Sequence, residues 1–598
     1  MNSDCIIQII NYLEDDIKSI FCCMLINKAW SYTAIPFLWR NPFGIISNGD
    51  FSKAPKIVQT YILCLSENDK LHLIYEGFNI SKTESAFFDY PSYIREINCN
   101  LVNKSISTWF KKTYFEHKSI NEEKENLFVG KIYDMFFSRC NRLFSFEIGL
   151  RKYGSFNYPN FSSFLRLRQA ITDLQHLGIY FHPLDNEKIN EQINEHISKF
   201  FIKLLTFRCH NIHFIDYKSC ANKDILVYHD ENNIAYFKIS ELIKLQHGLR
   251  LFRYLGEISI LNFEESSSIF DALKTQINSL THLELRGIGF NGKIIQCLKL
   301  FKNLRFLIII NCYQDKLLSE DLFPEPEQLS ITKFVFLSNR NMSDNLQVAF
   351  LKLPNYNLKS LTTDFIDNPK IINSLNYQFP NIIYLSTRIE RNGFVHMNWI
   401  SNLTKLSHLV LDVSFNVLGY LTYSHIYHFG LLLPLSLKVL HIDNEHFSPH
   451  ILGNLLKACV EKKISLEILG LHFDYRSRIN ELYLHTILEY ISRFPGDDLI
   501  GLKELRIGVG LNKESLEDIF PDKILKIVKE NVPVFTNKNE YGYWYWNWIR
   551  DDCNKFGQDS LIDTVKVLKI LIWAYYSSSG GIVRDIKEQR LSRHFASS

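Results

Sequence analysis

Paired cysteines are missing from this chain. Its 12 cysteines are scattered through 598 residues, only Cys22 and Cys23 lie close together, and no Cys-x-x-Cys occurs. That spacing excludes a disulfide framework and a zinc knuckle and predicts a reduced intracellular setting. An excess of one charge is missing too. The 67 Lys and Arg nearly balance 64 Asp and Glu, for a net charge of +3, so no nucleic acid and no membrane partner is expected. The longest apolar runs, such as Leu304 to Ile310 (broken by Arg305) and Val565 to Tyr576 (broken by Lys566 and Lys569), are too short to span a bilayer. The N-terminus carries Asp4 and has no basic stretch ahead of an apolar one, so no signal peptide is expected and the protein reads as soluble.

Catalytic motifs are absent as well. There is no Gly-x-Ser-x-Gly elbow, Walker loop or His-Glu-x-x-His. Gly508-x-Gly510 lacks the third glycine of a dinucleotide loop and reads as a tight turn. The densest ligand-type group, His441, Asp443, Glu445, His446 and His450, fits no zinc spacing and reads as a loop. The expectation is a protein that is not an enzyme and has no cofactor and no metal.

What the chain has in quantity is apolar surface. It is 46% hydrophobic and 14% aromatic, with 45 Phe and 30 Tyr, against 22% charged residues. This is a globular composition able to bury a large core.

The first forty-two residues carry the sharpest local pattern. Ile6, Ile9, Ile10 and Leu13 share one stripe of a short helix, with Asp4 as its expected cap. Asp15 or Asp16 caps a second helix from near Ile17. That helix holds the run Ile20-Phe21-Cys22-Cys23-Met24-Leu25-Ile26, apolar most of the way round and therefore in need of two packing faces. A third element runs from Ser31 to Arg40. So short a segment rarely stabilises itself alone, and one face should meet a partner or the rest of the chain.

The residues Asp4-Cys5-Ile6, Tyr12-Leu13, Leu25-Ile26-Asn27-Lys28-Ala29-Trp30 and Ile35-Pro36-Phe37-Leu38-Trp39-Arg40-Asn41-Pro42 give this stretch its family likeness. It resembles an F-box of the kind numerous in some fungi, although Met1 and Asn2 stand where that family usually has Leu-Pro. The resemblance implies docking onto a Skp-type linker protein of a cullin complex through Ile6, Ile9, Leu13, Ile20, Leu25, Trp30, Pro36, Leu38 and Trp39. The alternative is a helical hairpin that merely caps the following domain.

Residues 43–56 read as a linker and 43–140 as a helical cap, with stripes at Ile57–Leu65 and Asn126–Cys140 and an exposed polar stretch from Lys111 to Lys124. From Leu143 one phrase recurs: apolar, two residues, apolar, one residue, apolar. It occurs at Leu143-Phe146-Ile148, Leu174-Leu177-Ile179, Leu204-Phe207-Cys209, Leu255-Ile258-Ile260, Leu280-Leu283-Leu285, Leu304-Leu307-Ile309 and Ile331-Phe334-Phe336. It returns at Leu358-Leu361-Thr363, Ile382-Leu385-Thr387, Leu406-Leu409-Leu411, Leu437-Leu440-Ile442, Leu466-Leu469-Leu471 and Leu502-Leu505-Ile507. Starts lie mostly 24 to 31 residues apart, with one gap of 51 and a last gap of 36. Amphipathic helices are expected between them at Glu187–Lys203, Lys293–Lys302, Ile451–Lys463 and Glu481–Phe494.

One strand and one helix per period is the signature of a leucine-rich repeat, which resembles the repeats commonly found behind F-boxes. Only Cys312 fills the Asn/Cys position of that repeat, so irregular units are expected. The predicted fold class is α/β: an N-terminal three-helix F-box (1–42), a leucine-rich-repeat-like α/β solenoid with strand plus helix per repeat (141–530), an aromatic-rich C-terminal cap (531–576) and a flexible tail (577–598). Within the cap, Tyr541 to Trp548 reads either as a stacking platform or as a buried end-cap.

In each phrase the residues between the apolar positions point to the other strand face, the concave wall of a solenoid. This places His282, Glu284, Arg286, Tyr384, Arg388, His408, Asp412, His441, Asp443, Glu504 and Arg506 as a mixed-charge surface for an unknown substrate protein, or as an ordinary solvated strand face. In the Leu304 strand the same positions are Phe306, Ile308 and Ile310. Either that strand is covered on both sides, or it offers an apolar anchor. The functional expectation is a substrate-recognition adaptor of an SCF-type ubiquitin ligase, cytoplasmic or nuclear; the alternative is a leucine-rich-repeat scaffold without ligase association.

Overall fold

The computed structural model describes residues 3–13, 16–46, 51–114, 122–149, 169–180, 203–219, 234–256, 263–314, 329–337, 342–363, 379–389, 393–413, 423–443, 448–473, 481–493, 502–509, 525–526, 528, 532 and 534–537. The chain divides into two compact units, residues 1–362 and 363–598.

The first unit opens on helices α1 (Ser3–Tyr12), α2 (Ile17–Met24) and α3 (Lys28–Leu38). The Asp16 carboxylate accepts from the Ser19 amide at 3.1 Å and the Asn27 side chain accepts from the Trp30 amide at 3.2 Å. Each satisfies an amide that a helix start leaves without an intrahelical partner. Asp4 is not the cap it was expected to be. It lies inside the first turn of α1, where a carboxylate still favours the positive end of the helix. Ile6, Ile10, Ile20 and Ala34 form a common core, with Leu13, Met24, Trp30, Phe37 and Leu38 packed against it.

Four further helices follow: α4 (Ala54–Leu63), α5 (Glu67–Tyr75), α6 (Cys99–Tyr114) and α7 (Glu122–Arg139). The first stretch of the expected linker is packed rather than free, for Phe43, Ile46 and Ala54 are all buried. Lys111 and Lys112, expected on an exposed loop or helix surface, are exposed in the last turn of α6. The aromatic composition is used here. Tyr61 packs on Phe136 at 4.7 Å, and Trp109 stacks on Phe128 at 4.8 Å. Lys70 is buried, and its ammonium donates to the carbonyls of Leu63 (3.2 Å) and Glu84 (2.6 Å).

The remainder of the unit is a parallel sheet whose neighbours follow chain order. Its strands are β1 (Glu96–Asn98), β2 (Ser145–Gly149), β3 (His176–Tyr180), β4 (Phe214–Ser219), β5 (Leu251–Gly256) and β6 (His282–Arg286). A two-residue strand, β7 (Gly289–Phe290), precedes β8 (Phe306–Ile310), and β9 (Tyr313–Gln314) pairs with β7 alone. β10 (Lys333–Leu337) and β11 (Ser360–Thr363) complete the row. Phe146, Leu177, Ile215, Phe252, Leu283, Leu307 and Phe334 stand in one line across the sheet. All seven are buried. Parallel strands need a crossover between them. Among the described residues these crossovers include helices at Lys203–Arg208, Ile234–Lys244, Phe263–Leu273, Gly292–Leu298 and Asp344–Leu351.

Two phrases fall elsewhere than expected. Leu204 and Phe207 lie in the helix Lys203–Arg208, and the buried phrase that follows is Ile212, just ahead of β4, with Ile215 and Tyr217 inside it. Likewise Leu249 is buried just ahead of β5 and Phe252 and Tyr254 within it, which puts Leu255 on the opposite face, while Ile258 and Ile260 lie outside the described residues. The physical reason is common to both. A tyrosine fills the third apolar slot, so an aliphatic template slides to a nearby false match. The same burial pattern at Ile94, Ile97 and Cys99 starts the row at β1, ahead of residue 141.

The second unit repeats the arrangement with β12 (Tyr384–Ile389), β13 (His408–Val413), β14 (Val439–Asp443), β15 (Ile468–Phe473), β16 (Glu504–Val509) and β17 (Val534–Asn537), all parallel and in chain order. Leu385, Leu409, Leu440, Leu469 and Leu505 are in line and buried. Helices at Tyr423–Leu432, Pro449–Glu461 and Glu481–Ser492 cross between strands, the last two near their expected bounds. Residues 187–202 of the helix expected at Glu187–Lys203, the aromatic run 541–548, the segment 561–576 and the tail lie outside the described residues.

One backbone device recurs at the strand starts. A carbonyl just ahead of each strand accepts two consecutive amides from the next strand's start: Arg95 from Phe144 and Ser145, Phe144 from Gln175 and His176, Gln175 from His213 and Phe214, and onward through Thr332, at 2.8 to 3.2 Å. Arg40, in the turn after α3, occupies the first place in this series and accepts from Arg95 and Glu96 at 2.9 and 3.1 Å. The Arg40 and Asn41 side chains also reach Glu96, at 3.4 and 2.7 Å. The N-terminal helices are thus joined to the sheet by the same bonds that join strand to strand.

After β6 the chain turns at Gly287, with φ +62°. A Cβ there would lie 2.4 Å from the Gly256 carbonyl oxygen. Gly287→Ala is expected to cost roughly 1–3 kcal/mol through the left-handed backbone and this clash, read as a lowered thermal midpoint by circular dichroism.

Candidate functional site

Side chains on the opposite face of the first sheet are expected to be solvated, yet they form a buried ionic chain. In register across the strands stand Asn98, Glu147, Gly178, Asp216, Arg253 and Glu284. Asp216 is 2% and Arg253 1% exposed. Arg253 donates from Nε to Glu284 Oε2 at 2.8 Å, and its Nη1 lies 3.1 Å from Asp216 Oδ1. The second contact is ionic, since neither atom makes a well-directed hydrogen bond. His176 Nε2 lies 3.1 Å from Asp216 Oδ2, its Nδ1 2.8 Å from Ser145 Oγ, and Glu147 Oε1 is 3.9 Å away. Asn98 donates to Glu147, Tyr180 donates to Asp216 at 3.4 Å, and Arg286 donates to the free oxygen of Glu284. Gly178 makes room for this, because a Cβ there would stand 2.8 Å from Glu147 Cγ.

Charges out of water persist only when paired, and the pairing sets the protonation states. Burial, reinforced by Asp216 and Glu96, pushes the Glu147 carboxyl up to about 7. Burial pulls the His176 imidazole down, but the Asp216 carboxylate and then Glu147 outweigh it and hold it above its ordinary value. Burial would raise the Asp216 carboxyl, yet Arg253 and His176 keep it below the usual range. Glu147 is therefore the group that titrates near neutrality, whereas Arg253 stays charged, its own burial offset by Asp216 and Glu284.

Of the expected concave residues, Glu284 and Arg286 belong to this chain. His282 is half-buried and stacks on Phe306 with centroids 4.1 Å apart and planes 8° from parallel. Burial, with Lys333 and Arg305 nearby, pushes it down to about 4, so it is neutral at pH 7. In the second unit Tyr384, His408, His441 and Arg506 are buried. Tyr384 and His408 are ring neighbours at 6.4 Å, and Arg506 holds Glu504 of its own strand with two bonds of 2.8 and 2.9 Å. Asp412 is half-buried. Arg388, Asp412 and Asp443 stand opposite one another in register, although the Arg388 and Asp443 side chains lie outside the described residues.

The N-terminal set divides. Ile6 and Ile20 face the core of their own helices and are not at the surface, because a module this small needs them inside. Leu13, Trp30, Pro36, Leu38 and Trp39 are half-buried, with Trp39 against Tyr61 at 5.4 Å and Tyr90 at 4.2 Å. Ile9 and Leu25 are exposed. Around them the surface also carries Ile7, Ile17, Phe21 (51% exposed) and Ile26 (58%).

Reading the sequence missed Asp216, Arg253, Glu147 and His176. The first two disappeared with the misplaced β4 and β5; the other two stood in recognised phrases but drew no attention as single charges. No group of His, Cys, Asp and Glu among the described residues is arranged to hold a metal ion. No helix among them is long and apolar enough to cross a membrane. No family model matches the chain, and no curated protein matches it.

Two outcomes test this network. Arg253→Leu removes the cation shared by Asp216 and Glu284, leaving the first to His176 and Tyr180 and the second to Arg286, and is expected to cost about 3–5 kcal/mol, whereas replacing Arg253, Asp216 and Glu284 together by Leu should cost less than the single change; urea denaturation reads both. The second concerns pH. Glu147 and His176 both bind protons more tightly folded than unfolded, so their contribution to stability is present at low pH and lost as pH rises. For Glu147 the window is 4.5 to about 7. The thermal midpoint should fall across that window, and Glu147→Gln should flatten the fall.

Proposed function

We propose that this protein is a substrate-recruiting adaptor of a cullin-type ubiquitin ligase: a three-helix F-box that docks a Skp-type linker protein, followed by a leucine-rich-repeat solenoid that holds the substrate. The chain performs no chemistry itself. It supplies proximity between a bound protein and the ubiquitin-loading machinery, and it works in the cytoplasm or nucleus.

The observation that carries this reading is the apolar surface left on α1 and α2. Leu25 is 67% exposed, alongside Phe21, Ile26, Ile17, Ile7 and Ile9, although these helices have a core of their own. Exposed apolar residues gathered on so small a module mark an interaction surface. The repeat reading draws support from the in-order parallel strands with helical crossovers, and from Cys312, whose thiol donates to the Leu285 carbonyl of the neighbouring strand at 3.5 Å.

A second reading, a repeat scaffold without ligase association, draws on one observation. The most family-like residues, Trp39, Arg40 and Asn41, bind this chain's own sheet and helices rather than facing outward. Capture of a purified Skp-type linker by the full chain separates the two. Leu25→Asp with Phe21→Asp is expected to weaken capture by more than about tenfold while leaving the circular dichroism spectrum unchanged. An unaltered chain that captures no linker would leave the scaffold reading.

A further inference from the structure

The opposite face of the first sheet changes character at β8. From β2 to β6 its central row is ionic apart from Gly178, but at β8 and β10 the row continues as Ile308 and Val335, flanked by Phe306, Ile310 and Leu337. Phe306, Ile308 and Leu337 remain half-exposed. The His282 ring extends this strip by lying flat on Phe306.

The strip is bordered by one sign of charge. Residues 305–310, 329–337 and 357–363 contain Arg305, Lys333 and Lys359 and no Asp or Glu. Arg305, Lys333 and Lys359 sit at or just before the starts of β8, β10 and β11. Arg305 and Lys359 are exposed and Lys333 half-buried. The one neighbouring acid on the row, Glu284, is occupied by Arg253 and Arg286. Cations that pair with no carboxylate among the described residues, set beside an apolar strip, attract an anionic partner that carries an apolar group of its own.

We propose that this strip is a docking site for an acidic peptide segment, with aliphatic or aromatic side chains seated on Phe306, Ile308 and Leu337 and carboxylates facing Arg305, Lys333 and Lys359. Under the adaptor reading this names the class of substrate, and in that respect it rests on that reading; the binding event itself needs no linker protein. Nucleic acid fits less well, because the centre of the strip is aliphatic and its cations stand at the strand starts, with Lys333 opposite Phe306, whereas strands of nucleotides need stacking rings along a basic groove.

The test uses the full chain alone and fluorescence anisotropy. The probe is a short fluorescein-labelled peptide of Asp and Glu flanking one Leu and one Phe. It is compared with a counterpart in which Lys replaces the acids and with one in which Ser replaces the Leu and Phe. The acidic, apolar probe should bind, and both counterparts should bind at least about tenfold more weakly. Added salt should weaken binding.

Lys333→Glu should reduce affinity by about tenfold and Ile308→Asp by more. Lys333→Glu lies on a half-buried surface position and provides the readout if Ile308→Asp does not fold. The proposal is overturned if the probe does not bind, if the lysine counterpart binds equally, if Lys333→Glu leaves affinity unchanged, or if a single-stranded oligonucleotide displaces the probe. Linker capture is measured separately, so failure here leaves it untouched, and failed capture leaves the peptide result standing.

Discussion

Everything in the first unit hangs on a carbonyl that accepts two amides. Each strand is short, five residues in β2, β3 and β6, and a strand of that length has few ladder bonds of its own. The doubled bond at its start fixes register before the strand begins, and register decides which side chains are buried. Because Arg40 enters this series, the N-terminal helices inherit the geometry of the sheet. The exposed apolar residues of α1 and α2 are then held at a set place relative to the strand face, as the adaptor proposal requires for bringing one bound protein to another.

In-register stacking has a second consequence. It lines up side chains from successive strands on the face away from the core, so that charges far apart in sequence become immediate neighbours. Asp216, Arg253 and Glu284 belong to three successive strands and meet only there. Once charges are adjacent and shielded, each must find its opposite, and removing one is worse than removing all. Where the charges stop, at β8, the same face turns apolar, and cations gather at its border. One stacking rule therefore produces both a self-satisfied ionic stretch and an amphipathic one.

Much of the fold was legible because its signal is local. Leu280-Leu283-Leu285 or Leu466-Leu469-Leu471 names its own strand: the last two, two residues apart, share a face in an extended chain, and the first is buried just ahead of it. The helices at 449–461 and 481–492 were legible from their period for the same reason. The site was less so. Arg253 and Asp216 carry no local signal, and the tyrosines at 217 and 254 hid their strands from an aliphatic template. Ile6 and Ile20 showed the converse, since a stripe of apolar residues tells which side of a helix is buried but not against what.

By itself, then, the sequence determined the parallel strand-and-helix α/β order, the positions of most strands and the apolar surplus of the first two helices, because periodicity and composition are properties of neighbouring residues. Only the tertiary structure decided that Arg40 joins helices to sheet, that a histidine, two arginines and three carboxylates form one chain of ion pairs, and that the apolar strip at β8 and β10 lies beside cations. Each of these depends on which residue stands opposite which across separate strands, and that is set by register.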